Sequence, residues 1–130
     1  MTKKKILIAD DAEVFRHLEE GLLKIYGYAF VHAKDGAEAV KLAVETTPDL
    51  ILLDVQMPVM DGVQALSYLK RDERTKDIPV VVVTTIGREK DEEILKKGGA
   101  DAFLTKPVQP RKLVETVRRL LGELSGAAGS

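Results

Sequence analysis

Short, almost uninterrupted apolar runs alternate along this chain with longer segments in which apolar residues recur every three or four positions. A short uninterrupted run is typical of a strand buried on both faces, and the recurring pattern is typical of an amphipathic helix. The runs predict strands at 5–9, 28–32, 50–53, 79–83 and 102–104. The periodic segments predict helices at about 14–25, 37–47, 62–69, 90–97 and 110–121.

Strand and helix therefore alternate five times along the chain. Such alternation is typical of an α/β fold in which a parallel sheet carries helices on both faces. We predict one domain over residues 1–122, built as a five-stranded parallel sheet flanked by five helices. Residues 123–130 show no apolar periodicity and are predicted to form a flexible tail or a linker.

Length, charge and cysteine content narrow the possible classes of protein. A chain of 130 residues fits one domain with one core. The formal net charge of −1 gives no reason to expect a nucleic acid or an anionic membrane as a partner. The sequence has no cysteine, which excludes disulfides and thiolate chemistry, and its apolar runs are too short for a signal peptide or a membrane span. A cytoplasmic location is the expectation that agrees with these features.

Polar side chains follow four of the predicted strands at the point where each strand ends. Asp10 and Asp11 follow the first strand, Asp54 the third, Thr84 the fourth and Lys106 the fifth. The carboxyl ends of parallel strands meet at one edge of the sheet, where open α/β proteins bind their ligands. We therefore expect these five side chains to lie close together.

Three carboxylates at one edge repel each other and need a cation. Oxygen ligands without cysteine or a histidine cluster favour Mg²⁺, which proteins usually bind through one or two carboxylates together with phosphate oxygens and water. Lys106 supplies a point charge suited to a phosphate or to Asp54, and Thr84 supplies a hydroxyl donor. A carboxylate nucleophile beside Mg²⁺, a lysine and a threonine is suited to phosphoryl transfer onto an aspartate.

The segment 54–62, DVQMPVMDG, resembles the acceptor motif of the receiver domains of two-component response regulators, the CheY-like family. Asp10-Asp11, Thr84, Phe103 and Lys106-Pro107 follow in the family's order and at about its spacing. The resemblance extends over about 4–121. It implies a flavodoxin-like sheet with strand order 2-1-3-4-5 and a phosphoprotein of phosphorelay signal transduction.

The resemblance also implies a role for each residue of the acidic site. Asp54 is implied to accept a phosphoryl group from a histidine kinase or a phosphotransfer protein. Asp11, Asp54 and the backbone carbonyl of Gln56 are the implied Mg²⁺ ligands, with Asp10 positioning the metal through water. Lys106 is implied to pair with Asp54 before transfer and with the phosphoryl oxygens after it. A protein of this kind is not an ordinary enzyme, although it catalyses its own phosphotransfer and dephosphorylation.

A conformational switch is implied as well. Thr84 resembles the hydroxyl that moves toward the phosphoryl group, and Phe103 resembles the aromatic ring that turns inward. The Lys106–Pro107 bond resembles the family's cis peptide. The surface expected to change comprises the fourth helix, the fifth strand and the fifth helix, at about 88–121, and controls a partner or an output domain that the sequence does not identify.

Two positions that tune loss of the phosphoryl group in this family are occupied here by Gln56 and Ile86. Because Ile86 is apolar and does not orient a water molecule, we expect hydrolysis that is not especially fast. The segment 100–102 reads Ala-Asp-Ala rather than Ala-Asp-Asp, which disfavours the salt-bridged dimer of the DNA-binding branch.

Other classes of function remain as alternatives. An aspartyl-phosphate phosphatase also places an aspartate, Mg²⁺ and a lysine at a strand end, but it usually has a second acid where Gln56 stands. A nucleotide-binding protein would need a glycine-rich loop after the first strand, where 10–13 reads DDAE. A degenerate receiver used only as a binding surface would not need the intact acidic set.

Three further polar residues are given structural roles. Asp61 precedes a predicted helix and is expected to cap it. His17 and His32 fall on a predicted helix and a predicted strand, and we expect both to lack partners and to serve only the fold.

Overall fold

One parallel sheet of five strands organises the domain. The computed structural model describes residues 3–85 and 89–124 of the chain. The strands are β1 (Lys5–Ala9), β2 (Ala29–Ala33), β3 (Leu50–Asp54), β4 (Val80–Thr85) and β5 (Ala102–Lys106). Their order in the sheet is β2-β1-β3-β4-β5, and every pair is parallel. The predicted fold class and strand order are confirmed.

The helices alternate with the strands as predicted. They are α1 (Glu13–Leu23), α2 (Gly36–Thr46), α3 (Gly62–Arg71), α4 (Glu89–Lys97) and α5 (Pro110–Leu120). A short 3₁₀ helix, Lys24–Tyr26, extends α1, and Gly27, with a φ of 83°, ends it in the left-handed conformation that favours glycine. Within residues 3–85 and 89–124, no helix combines the length and the apolar character needed to cross a bilayer.

The strand ends differ from the predicted ones mainly at the carboxyl edge of the sheet. β4 and β5 each continue two residues further than predicted, and β3 includes Asp54. Thr84 pairs with Thr105 in the β4–β5 ladder, and Thr85 pairs with Lys106. The apolar pattern ends earlier than the ladder because the ladder is made by backbone groups, which pair whatever side chains they carry.

Two apolar layers, one on each face of the sheet, hold the domain together. One layer lies under α2, α3 and α4 and includes Leu66 and Leu95. The other lies under α1 and α5 and includes Leu23 and Leu113. β3 is buried along its whole length, Asp54 included. The central strand therefore places a carboxylate at the edge of the sheet with apolar residues behind it.

Asp61 caps α3, as predicted. Its carboxylate accepts a hydrogen bond from the backbone N–H of Gln64 at 2.9 Å, and the Gln64 side-chain oxygen accepts one from the backbone N–H of Asp61 at 3.3 Å. This reciprocal arrangement is a capping box, which satisfies two backbone donors at the start of the helix.

The apolar residues at helical spacing in and after α1 do not all face the sheet. Val14 and Leu18 of α1 and Ile25 of the following 3₁₀ helix are 71%, 48% and 77% exposed. The inward face instead carries Glu19, which is almost fully buried, and Leu23 one turn further on. The helix thus has two stripes, and the one that contacts the sheet includes an acid that periodicity alone assigns to the solvent.

Candidate functional site

The carboxyl edge of the sheet brings the predicted acidic residues together. Asp10 follows β1 and Asp54 ends the adjacent strand β3; both are almost fully buried, whereas Asp11 is exposed. Each of the three offers a carboxylate oxygen, and these oxygens lie within 4.8 Å of one another. Clustered oxygen ligands of this kind suit a hard divalent cation.

Lys106 offsets the charge of the two buried acids. Its Nζ lies 2.8 Å from Asp10 Oδ2, 3.1 Å from Asp54 Oδ2 and 4.4 Å from the centre of the Phe15 ring. Burial lowers the pKa of Lys106, but the hydrogen bond to Asp10 and the charges of Asp54 and Asp10 outweigh that effect. The pKa of Lys106 therefore lies above its ordinary value, and the ammonium stays charged at neutral pH.

The environment of Asp54 disfavours the ionised form of its carboxyl group. Burial, together with the charge of Asp10, raises the pKa of Asp54 to about 6, although Lys106 and the backbone N–H of Gln56 act in the opposite direction. The Gln56 N–H donates to Asp54 Oδ1 at 3.3 Å, and Lys106 Nζ donates to Oδ2 at 3.1 Å. A further cation at this edge would stabilise the ionised form.

The segment between β3 and α3 folds back tightly onto Asp54. The backbone N–H of Gly62 donates to the carbonyl of Val55 at 2.8 Å. A methyl group added at Gly62 would lie 2.5 Å from the backbone oxygen of Asp54, a distance that no real side chain keeps. The glycine after Asp61 is thus required by close approach to the end of β3, and this approach fixes the exposed Gln56 beside Asp54.

The residues predicted to form the switch lie on β4, which is next to β3, and on β5, which is next to β4. Thr84 is almost fully buried and stands one position beyond Val83, the register partner of Asp54. Phe103 is partly buried and packs against the apolar layer under α2, α3 and α4. The Lys106–Pro107 peptide bond is cis. Ile86 lies outside the described residues, and the switch and tuning roles stay predictions.

Three residues of α1 belong to the site although the sequence did not single them out. Phe15 covers the ammonium of Lys106, and Arg16 Nη1 donates to the backbone carbonyl of Asp10 at 2.6 Å. Burial, and then the charge of Asp10, raise the pKa of Glu19 to about 8. The position of α1 in the sequence could have predicted this, because a helix that begins two residues after Asp11 must pass over the same edge of the sheet.

The geometry agrees with what comparison with known proteins finds. The family model of the response regulator receiver domain matches residues 6–118. The chain therefore belongs to the receiver domains of response regulators, which are signalling proteins of two-component systems rather than ordinary enzymes.

Relatives and solved structures of the same family cover nearly the whole chain. The polar-differentiation response regulator DivK of Brucella ovis is 37% identical over 120 residues, which are 92% of this chain and 98% of DivK. The chemotaxis protein CheY4 of Vibrio cholerae is similar in structure, with a TM-score of 0.84 and 31% identity, covering 92% of this chain and 99% of CheY4. The receiver domain of the sensor histidine kinase PA1611 of Pseudomonas aeruginosa, solved with a magnesium ion coordinated in its active-site cleft, has a TM-score of 0.85 and 28% identity, covering 93% of this chain and 99% of that domain.

Proposed function

We propose that this protein accepts a phosphoryl group on Asp54 from a phosphohistidine of a histidine kinase or a phosphotransfer protein in the cytoplasm, with Mg²⁺ as its cofactor. In the proposal, the phosphorylated form controls a partner or an output domain. The observation that carries the proposal is the environment of Asp54. Its buried carboxylate lies within 4.8 Å of those of Asp10 and Asp11 and 3.1 Å from the ammonium of Lys106.

The donor set of the site fits Mg²⁺. Asp11 and Asp54, with the backbone carbonyl of Gln56, are the groups that would bind the ion directly, and Asp10 would hold it through water. All are oxygen donors, as Mg²⁺ prefers, and the PA1611 receiver is described with magnesium in its cleft. When bound, the ion supplies positive charge that offsets the phosphoryl oxygens.

The proposed transfer is a nucleophilic substitution at phosphorus. A carboxylate oxygen of Asp54 forms the new P–O bond, the P–N bond of the donor breaks, and the released imidazole nitrogen takes up a proton. Lys106 is placed to stabilise charge on the transferring oxygens. The attacking carboxylate must be ionised, and because burial raises the pKa of Asp54 to about 6, metal-free Asp54 loses its nucleophilic form as the pH falls below that value. Attack by water on the same phosphorus reverses the modification.

Phosphorylation adds charge and acceptor oxygens at one point, and the proposed switch reads that change. Thr84 lies on β4, one position beyond the register partner of Asp54, and its hydroxyl is proposed to turn to the phosphoryl group. Phe103 is partly buried on the neighbouring strand and is proposed to follow. The surface formed by α4, β5 and α5 would then differ between the two states.

The experiment is a measurement of stoichiometric phosphorylation. The protein is incubated with Mg²⁺ and acetyl phosphate and weighed by intact-mass spectrometry. We expect one added phosphoryl group on the wild type and on Asp77→Asn, a matched change at an exposed aspartate, and none on Asp54→Asn or in the presence of a chelator. With Ile86 and Gln56 at the tuning positions, we expect the adduct to outlast a few seconds.

Two results would contradict the proposal. An adduct that persists on Asp54→Asn would place the acceptor elsewhere, and no adduct on the wild type at any time sampled would remove the acceptor role. Repeated turnover of an added phosphomonoester would indicate a phosphatase instead of a switch.

A further inference from the structure

A second group of potential metal ligands lies outside the acidic site, where α1 meets the edge strand β2, although its ligand atoms do not converge within 4.8 Å of one another as those of the acidic site do. Glu13, His17 and Glu20 occupy positions i, i+4 and i+7 of α1 and so lie along one stripe of the helix. His32 of β2 faces that stripe, with its Nε2 2.5 Å from Glu20 Oε1. The expectation that the two histidines lack partners is therefore wrong, since their ring centroids are 5.6 Å apart and His17 Nε2 lies 4.0 Å from Glu13 Oε1.

We propose that His17, His32 and Glu20 bind a transition-metal ion of the Zn²⁺ class, with Glu13 as the fourth ligand. Imidazole nitrogen and carboxylate oxygen are ligands that Zn²⁺ takes in tetrahedral sites. Two imidazoles on one tetrahedral zinc, with bonds of about 2.0–2.1 Å, have ring centroids about 5 Å apart. The observed separation of 5.6 Å between the two ring centroids is close to that value.

Binding needs the exposed His17 and Glu13 to turn inward, and it needs Arg16 and Glu20 to shift at His32. The side chains of His17 and Glu13 are 67% and 71% exposed, whereas those of His32 and Glu20 are 25% and 34% exposed. The contact between the Glu20 carboxylate and the His32 imidazole sets the orientation of the His32 ring, so these two ligands are already ordered. His17 and Glu13 can turn toward an ion without disturbing the core.

Arg16 is the group against which a metal ion competes. Its Nε donates to His32 Nδ1 at 3.2 Å, so Nδ1 is the acceptor and the ring proton lies on Nε2, facing Glu20. An ion on Nε2 displaces that proton to Nδ1, and an ion on Nδ1 takes the place of Arg16 directly. In both cases the metal replaces Arg16 as the cation on His32, and we therefore expect Arg16→Met to bind the ion more tightly than the wild type.

The chain has two histidines, and both belong to this cluster, which makes the site directly observable. The untagged full chain, stripped of metal, is titrated with ZnCl₂ by calorimetry at pH 7.5, and its imidazole signals are followed by NMR. We expect His17→Ala to weaken this binding at least tenfold, and His32→Ala to do the same, while Glu45→Gln, an exposed change on α2, leaves it unchanged. Circular dichroism checks that the variants are folded. If the His32→Ala variant does not fold, the His17→Ala variant still tests the proposal, because the His17 side chain is exposed.

One variant at each site distinguishes zinc binding at the histidine cluster from metal binding at the acidic site. We expect the Asp11→Asn variant to bind zinc as the wild type does, with imidazole NMR signals that shift when zinc is added. We expect the His17→Ala variant to be phosphorylated by acetyl phosphate as the wild type is. Zinc binding that survives both histidine substitutions, or imidazole signals that do not respond when zinc saturates the protein, would overturn the proposal and leave the phosphoryl-acceptor role untouched.

Discussion

Glu19 is the residue at which polarity and burial conflict most clearly. It lies on the inward stripe of α1, almost fully buried, with the charges of Asp10, Lys106 and Asp54 around it. Burial first, and then repulsion by Asp10, raise the pKa of Glu19 from 4.5 to about 8. The folded protein therefore keeps a proton on Glu19 that the unfolded chain has already lost near pH 5.

This difference predicts the pH dependence of stability. The contribution of Glu19 is fully present below about pH 4.5 and is lost as the pH rises through about 8. We expect Glu19→Gln, which keeps the shape and removes the charge, to raise the free energy of unfolding by a few kcal/mol at pH 8.5 and by little at pH 5. Urea unfolding at the two pH values measures this, with the exposed Glu45→Gln as control. An equal gain at both pH values would contradict the assignment.

The carboxylate of Asp54, which the proposed function requires, is expected to lower the stability of the fold. Burial beside Asp10 raises its pKa to about 6, so ionised Asp54 costs the fold free energy at neutral pH. We expect Asp54→Asn to be more stable than the wild type by about 1–3 kcal/mol at pH 7.5 without Mg²⁺, because Lys106 then serves Asp10 alone. Thermal unfolding by calorimetry tests this. The exposed Asp77→Asn should change stability by no more than about 0.5 kcal/mol, and a destabilised Asp54→Asn would show that the carboxylate holds the site together.

Among the elements, the start of α3 is the one most tightly fitted to the site. Gly62 approaches the backbone of Asp54 and Val55 so closely that an added methyl group would overlap it. Gly21, in the exposed part of α1, has nothing within 4 Å of such a methyl group. We expect Gly62→Ala to destabilise the protein by about 2 kcal/mol or more, and Gly21→Ala to stabilise it by about 0.5–1 kcal/mol. Urea unfolding of both variants makes the comparison, and similar effects at the two positions would rule out close approach as the cause.

The strands and helices could largely be predicted from the sequence, because buried parallel strands and amphipathic helices leave distinct patterns. Two features could not. β4 and β5 extend through Thr85 and Lys106, since backbone pairing does not require apolar side chains. The inward face of α1 could not be assigned either, because Val14 and Ile25 recur at helical spacing with Leu23 but are exposed, whereas Leu23 is buried.

At the scale of the whole molecule, topology explains which parts of the site were predictable. Parallel strands deliver their ends to one edge, so the meeting of Asp10, Asp54 and Lys106 follows from the order of elements alone. The contacts of Arg16 and His32 depend on how α1 is rotated over the sheet, and no local pattern encodes that rotation. Contacts between elements were therefore the part that only the folded chain could show.

The two ends of the described chain meet at Glu123, a residue that the sequence assigned to the tail. The Tyr28 hydroxyl donates to Glu123 Oε1, Lys4 Nζ lies 3.2 Å from Oε2, and Arg118 Nε lies 3.5 Å from Oε1. Tyr28 is buried and immediately precedes β2, and Lys4 immediately precedes β1. One carboxylate thus links the beginning of the sheet to the end of α5.

This link predicts that Glu123 stabilises the domain as a whole. Glu123→Ala leaves the buried Tyr28 hydroxyl without its acceptor and Lys4 and Arg118 without their shared anion, and we expect the free energy of unfolding to fall by about 1–2 kcal/mol. Glu115→Ala, a change at an exposed acid on α5, should alter it by no more than about 0.5 kcal/mol. Urea unfolding followed by circular dichroism measures both variants. A Glu123→Ala protein as stable as the Glu115→Ala control would mean that the contacts of Glu123 do not stabilise the domain, and the predicted boundary after residue 122 would then stand.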